Sequence, residues 1–204
     1  IELIARKARS VDQIAPALYG AYSDKNTVRG MKSGTYDAMG VLPAQFIVQP
    51  QIVLYGRIIN EVDVQQRRKV CVIGKEVYET LFNVGENPLG QYIRLKGIYF
   101  QVIGVVTPVS KNIAVGSIPD QTVFIPFTTM RYTFSRGDKV HFLVCTTKPG
   151  YDAVQLEEEV KAILREAHDI APGDEKAVRS FNVEKEFRMF QNLTLGVNAL
   201  VWIV

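Results

Sequence analysis

Gly74-Lys75 closes an apolar run and opens a helical one, the setting in which a phosphate-binding loop places its lysine. Such a loop also needs an earlier glycine and a Ser or Thr after the lysine. Glu76 stands at that last position and would repel phosphate, so a tight strand-to-helix turn is the reading taken. No G-x-G-x-x-G fingerprint and no G-x-S-x-G elbow is present. The two histidines, His141 and His168, are far apart, and neither has ligand residues at zinc spacing. His168 is expected at a helix C-terminus, where the dipole favours a cation, and His141 in a strand. Asp174-Glu175 could pair as acid and base, but follows Pro172-Gly173 and reads as a solvated turn. Arg67-Arg68-Lys69 lacks the interleaved aromatics of a nucleic-acid surface and reads as a solvated strand entry. Cys71 and Cys145 lie in apolar runs and default to buried thiols; a disulfide between them is left open. These residues assign no catalytic, cofactor-binding or metal-binding site, and the chain is read as a non-enzyme.

The elements that would position these residues are read from pattern. The 204 residues are 47% apolar and 22% charged, a globular composition with 24 Lys and Arg against 21 Asp and Glu. A net charge of +3 argues against a nucleic-acid partner. Residues 1–9 have helical periodicity, and Val11 to Tyr22 reads as a turn and a strand. Residues 24–30 read as a turn, Ser33 to Leu42 as a second short strand, and 43–50 as a brief element between prolines. Val70-Cys71-Val72-Ile73 is a strand buried on both faces, and Lys75 to Phe82 is a short helix. Tyr92–Leu95 and Tyr99–Val106 make a hairpin around Lys96-Gly97. Residues 107–120 are a loop, and Thr122–Pro126 and His141–Thr147 are strands. Tyr151 to His168 is the strongest helix, with Asp152 and Gln155 as a capping box. Val178 to Val183 alternates like a strand. The fold class is therefore α+β.

The ends of the sequence add an expectation. The chain starts without Met and without signal-peptide character, like the middle of a longer protein. After Arg188 charge stops, and Leu193 to Val204 is apolar. Twelve helical residues reach about 18 Å, against about 30 Å for a bilayer core. A core element of a soluble protein and a truncated transmembrane helix both fit; residues 191–204 are read as the start of the latter.

An ordered set of motifs resembles the extracytoplasmic core domain of MacB-type, FtsX-like ABC transporter permeases. It comprises Arg68-Lys69-Val70-Cys71-Val72-Ile73-Gly74, Leu81-Phe82, Asn87-Pro88-Leu89-Gly90-Gln91 and Phe100-Gln101-Val102-Ile103-Gly104-Val105. Val123-Phe124-Ile125-Pro126 and the stretch from Leu164 through Phe181-Asn182 continue it, although Lys176-Ala177-Val178 departs from the family's acidic and aromatic continuation. The resemblance implies a porter-like α/β subdomain from both chain ends (1–42 and 138–190) and an inserted β-rich sabre-like subdomain (43–137).

It also implies a function. This would be a periplasmic domain of a multi-pass inner-membrane permease, coupling cytoplasmic ATP hydrolysis to export by conformational change. Its partners would be a nucleotide-binding ATPase domain or subunit and a second permease copy. A periplasmic adaptor and an outer-membrane channel could follow. The isolated domain is expected to be monomeric. The alternative is an FtsX-like sensor or scaffold that regulates a cell-wall hydrolase or binds a peptide.

Overall fold

A computed structural model describes residues 1–20, 25–110, 117–135, 137, 139–171, 174 and 176–185. Along them run α1 (Glu2–Lys7), β1 (Val11–Gly20), β2 (Thr27–Arg29), β3 (Lys32–Gly34), β4 (Asp37–Val41), α2 (Gln45–Val48) and β5 (Gln51–Gly56). Next come α3 (Glu61–Gln65), β6 (Val70–Gly74), α4 (Lys75–Leu81), β7 (Tyr92–Leu95) and β8 (Ile98–Pro108). A 3-10 turn (Pro119–Gln121), β9 (Thr122–Pro126), α5 (Phe127–Thr133), β10 (Phe142–Thr147) and α6 (Ala153–Ala167) follow. The mixed composition of helices and sheet is the α+β class expected from pattern. The chain divides into two compact units: Gln13–Val144, and Ile1–Asp12 with Cys145–Val204.

In the unit 13–144 the strands are ordered β1-β4-β9-β6-β8-β7-β2-β3, with β5 also on β8. The apolar run of β6 forms the middle because it can be buried on both faces. Cys71 and Ile73 join one core with Val123 and Ile125 of β9 and with Val77 and Leu81 of α4. Val72 faces the other way, beside Phe124, Phe46 of α2 and Val64 of α3. β6 runs parallel to β8, where Cys71 pairs with Val102 but Val72 with Gly104, so Ile103 is an extra residue. That bulge puts Val102 and Val105, three apart, on the same face. Lys96 and Gly97, both at positive φ (46° and 84°), form the β7–β8 turn anticipated from sequence.

Four sequence expectations are corrected here. The single strand Ser33–Leu42 is two, β3 and β4. Asn26 causes the break: its side chain donates to Tyr36 O (2.6 Å) and accepts from Tyr36 N (3.0 Å), taking up the hydrogen bonds a strand would use. β8 extends into the expected loop as far as Pro108, held by pairing with β5. Residues 24–30, expected as a turn, contain the strand β2, paired with β3 and β7; β5, α3 and α5 are further elements with no counterpart in the expectations. The fourth correction falls at Val178–Val183. Residues 179–182 form no strand, and a helical turn occupies 183–185. Ser180 and Asn182 spend their side chains on a helix carboxylate and a cap, as short polar residues do, in place of a ladder.

In the unit of residues 1–12 and 145–204, α1 packs on α6. Leu156 and Ile163 form the buried stripe of α6. Asp152 caps it by accepting from Val154 N at 2.7 Å. The expected membrane segment, 191–204, lies outside the described residues. No helix among the described residues is long and apolar enough to cross a membrane.

Candidate functional site

Gly74 sits at the N-cap of α4, where an added Cβ would meet Pro119 O at 2.2 Å and Asp120 O at 2.3 Å. Glycine is therefore required there for close backbone packing. Lys75 turns to Glu79, four residues on, at 3.7 Å. The His141 ring accepts at Nδ1 from Tyr19 N (2.9 Å), and the His141 backbone N–H donates to Ala17 O. It packs the end of a strand. His168 is the exposed C-cap of α6. Asp174 accepts from Lys176 N and Ala177 N at 3.1 Å each, which makes a turn; Glu175 lies outside the described residues. Both cysteines are free thiols. Burial pushes the Cys71 thiol far above its usual range and that of Cys145 up to about 11. Among the described residues no three His, Cys, Asp or Glu side chains group as metal ligands.

The basic run 67–69 is exposed, and one of its members, Arg68, reaches a network centred on Asp63. Asp63 is fully buried in α3. It accepts from Arg57 Nη1 (2.6 Å) and Nη2 (3.1 Å), from Asn60 N (3.1 Å) and from Arg68 Nη1 (3.4 Å). Asn60 returns the contact by accepting from Asp63 N, which completes a capping box. Burial alone would raise the Asp63 pKa. The Arg57 and Asn60 hydrogen bonds and the two guanidinium charges outweigh it and hold the carboxyl below its usual value. Arg67 lies over the Tyr132 ring at 3.7 Å. The signal available in the sequence was Asn60-x-x-Asp63, an N-cap followed by an acid three residues on.

In the other unit, three of the four carboxylates of α6 bind other segments of the chain. Glu166 of α6 accepts from Lys7 Nζ of α1 at 2.7 Å. Glu159 accepts from the buried Ser10, from Oγ at 2.6 Å and from N at 3.1 Å. Those bonds to Ser10 hold Glu159 below its usual pKa. Glu157 accepts from Lys161 Nζ at 2.5 Å, from Ser180 Oγ, and from Asn182 Nδ2 at 3.2 Å. The Lys161 contact leads, with Ser180 next, in lowering the Glu157 carboxyl to about 2. All three acids accept hydrogen bonds from partners in place, which suits them to holding chain segments together. Their signal in the sequence was only Glu157 and Lys161 at i,i+4 spacing.

Exposed apolar side chains concentrate on β5, where Ile52, Val53, Leu54 and Tyr55 are each 37–50% exposed. This strand carries no charged residue, and Met31 and Val84 are fully exposed elsewhere in the same unit.

Residues 1–163 match the family described as the MacB-like periplasmic core domain, and the chain belongs to that family. A macrolide export ATP-binding/permease protein MacB from Syntrophobacter fumaroxidans is 34% identical over 93 residues, 46% of this chain and 13% of that protein. MacB from Sodalis glossinidius is 26% identical over 196 residues, covering 95% of this chain and 28% of that protein. A pyoverdine export ATP-binding/permease protein PvdT from Pseudomonas syringae is 25% identical over 152 residues, 74% and 23% of the two chains. The chain thus spans less than a third of each of these relatives. Among solved structures, the periplasmic region of MacB from Actinobacillus actinomycetemcomitans superposes with TM-score 0.67 at 22% identity, over 81% of this chain and 71% of that one. The extracellular domain of the ABC-type transporter YknZ from Gram-positive bacteria gives 0.67 at 18%, over 82% of each. These two share the fold.

Proposed function

We propose that this chain is the periplasmic part of an ABC export permease and works by displacement rather than by bond chemistry. In the whole protein, which would be a multi-pass protein of the inner membrane, ATP is hydrolysed on a cytoplasmic nucleotide-binding domain or subunit. The membrane helices carry that motion to this domain, and two copies of the permease move against substrate on its way outward. A periplasmic adaptor and an outer-membrane channel would extend the path. The inserted sabre-like part would be residues 43–137, and the porter-like part residues 1–42 and 138–190.

The observation that carries this reading is the family match over residues 1–163. One feature of the fold supports it: residues 1–12 and the chain from Cys145 onward form one compact unit, as a domain inserted between two membrane helices requires. The relatives in this family are named for macrolide and pyoverdine export, so the probes are a macrolide and a siderophore. The test is transport by the whole protein in proteoliposomes supplied with ATP. ATP-dependent movement of either probe, lost when this domain is deleted while ATP hydrolysis persists, is the expected result. Hydrolysis with no movement of either compound, in the intact protein, contradicts the reading.

A further inference from the structure

Helix α6 holds both the chain segment that precedes β1 and the segment that follows α6 itself. On the N-terminal side, Glu166 binds Lys7 and Glu159 binds the backbone and hydroxyl of Ser10. Lys148 adds two contacts to the same segment, from its backbone N–H to Ser10 O (2.8 Å) and from Nζ to Arg9 O (3.1 Å). On the C-terminal side, Glu157 binds Ser180 and Asn182, the latter across 25 residues of sequence. Asn182 is bifunctional. Its Nδ2 donates to Glu157 Oε2, and its Oδ1 accepts from Lys185 N at 3.1 Å, capping the helical turn 183–185. The side chain that starts this turn is therefore the one that ties it to α6. Lys161 neutralises Glu157 from within the helix.

We infer that Glu157 and Asn182 form a clamp that fixes where the C-terminal segment leaves α6, making this helix the common anchor of both connections of the domain. Glu157 is a positioning residue in this scheme. The inference rests on the reading above for its purpose, since only a domain driven through its connections needs them anchored to one rigid element. An i,i+4 pair such as Glu157–Lys161 stabilises a helix without any other partner; the cross-sequence bonds to Ser180 and Asn182 serve no such local need. A long helix also resists bending better than the loops it holds, so force entering at one segment reaches the other through α6.

The contact can be inverted chemically. Asn182→Asp keeps an oxygen for Lys185 N, because Asp caps as well as Asn, but sets carboxylate against carboxylate at Glu157. Glu157→Gln combined with Asn182→Asp restores one donor and one acceptor with the roles exchanged. The amide oxygen introduced by Glu157→Gln can still accept from Ser180 and Lys161. The experiment measures, on the whole membrane protein, hydrogen exchange of amides 183–185 and the amount of probe exported per ATP hydrolysed. Losing one charge-assisted hydrogen bond costs on the order of 1.5 kcal/mol, about tenfold. Asn182→Asp should accelerate exchange at 183–185 by about tenfold and lower export per ATP. The double variant should return both to within about twofold of the parent, given the usual spread of single contact energies. A general loss of stability would not be rescued by a second substitution at this contact. Unchanged exchange in Asn182→Asp overturns the clamp, and accelerated exchange with unchanged export per ATP overturns its coupling role. A parent that hydrolyses ATP without exporting either compound sinks the transport reading, while the exchange result still judges the clamp.

Discussion

Replacing Asp63 tests whether Arg57 and Arg68 are held by a buried acid. In Asp63→Ala the carboxylate that receives Arg57, Arg68 and the Asn60 N–H disappears. Both guanidinium groups are more than two-fifths exposed and return to water, so the full penalty of a stranded buried charge does not apply. What is lost is a charge-assisted hydrogen-bond pair, about 1.5–3 kcal/mol, and the reciprocal cap of α3, about 1 kcal/mol. The sum is about 2.5–4 kcal/mol. For a chain of this length each kcal/mol moves the melting temperature by about 2–4 °C, so a drop of about 5–15 °C is expected by calorimetry. Asp63→Asn keeps an acceptor for Asn60 N–H and should lose about half as much. Because the folded-state pKa of Asp63 is lowered, its charged form contributes fully above the ordinary carboxylate range. The contribution fades as pH falls through the lowered value. The gap between parent and Asp63→Asn should therefore close as the solution is acidified. An Asp63→Ala protein within about 1 °C of the parent at neutral pH would refute the reasoning.

Three further outcomes follow from the geometry. Gly74→Ala places a Cβ against two backbone oxygens that cannot swing away; overpacking of this kind costs about 1–3 kcal/mol, readable as a lowered urea midpoint. Glu157 has its carboxyl lowered from 4.5 to about 2, so its contribution is present above pH 4.5 and is lost as pH falls towards 2. Glu157→Gln should flatten that part of the stability curve, and an unchanged acid limb would contradict the assigned contacts. Cys145 is half-buried and Cys71 fully buried, both with raised thiol pKa. A maleimide should label Cys145 slowly in the native protein and Cys71 only after denaturant is added; equal labelling of the two would contradict the fold.

Much of the framework was legible because it depends on pattern. β6, α4, the β7–β8 hairpin, β9 and α6 all announce themselves by continuous apolar runs, helical spacing or a turn glycine. β5 escaped because its side chains face water on both sides and give no alternation; its partner in the sheet is β8, far away in sequence. α3 and α5 are short helices, whose existence depends on Asn60 and on the packing of Phe127 and Met130 rather than on length. Val178–Val183 alternates like a strand, yet Ser180 and Asn182 found partners on α6 that no local pattern encodes. The polar networks were hidden for the same reason: Arg57 and Asp63, or Glu157 and Asn182, meet only after folding. The ordered motifs from Arg68 to Pro126 carried the family because they are the packed centre of the unit 13–144, where residue size and type are most constrained.

The claim that this domain acts by moving is tested most directly by distance. A spin label at the fully exposed Val84 reports, by double electron–electron resonance in the whole protein, the separation of the two copies. Displacement of the domain predicts a shift of several ångströms between the nucleotide-free state and the ATP-bound state of a hydrolysis-deficient ATPase. The same distance distribution in both states would contradict it.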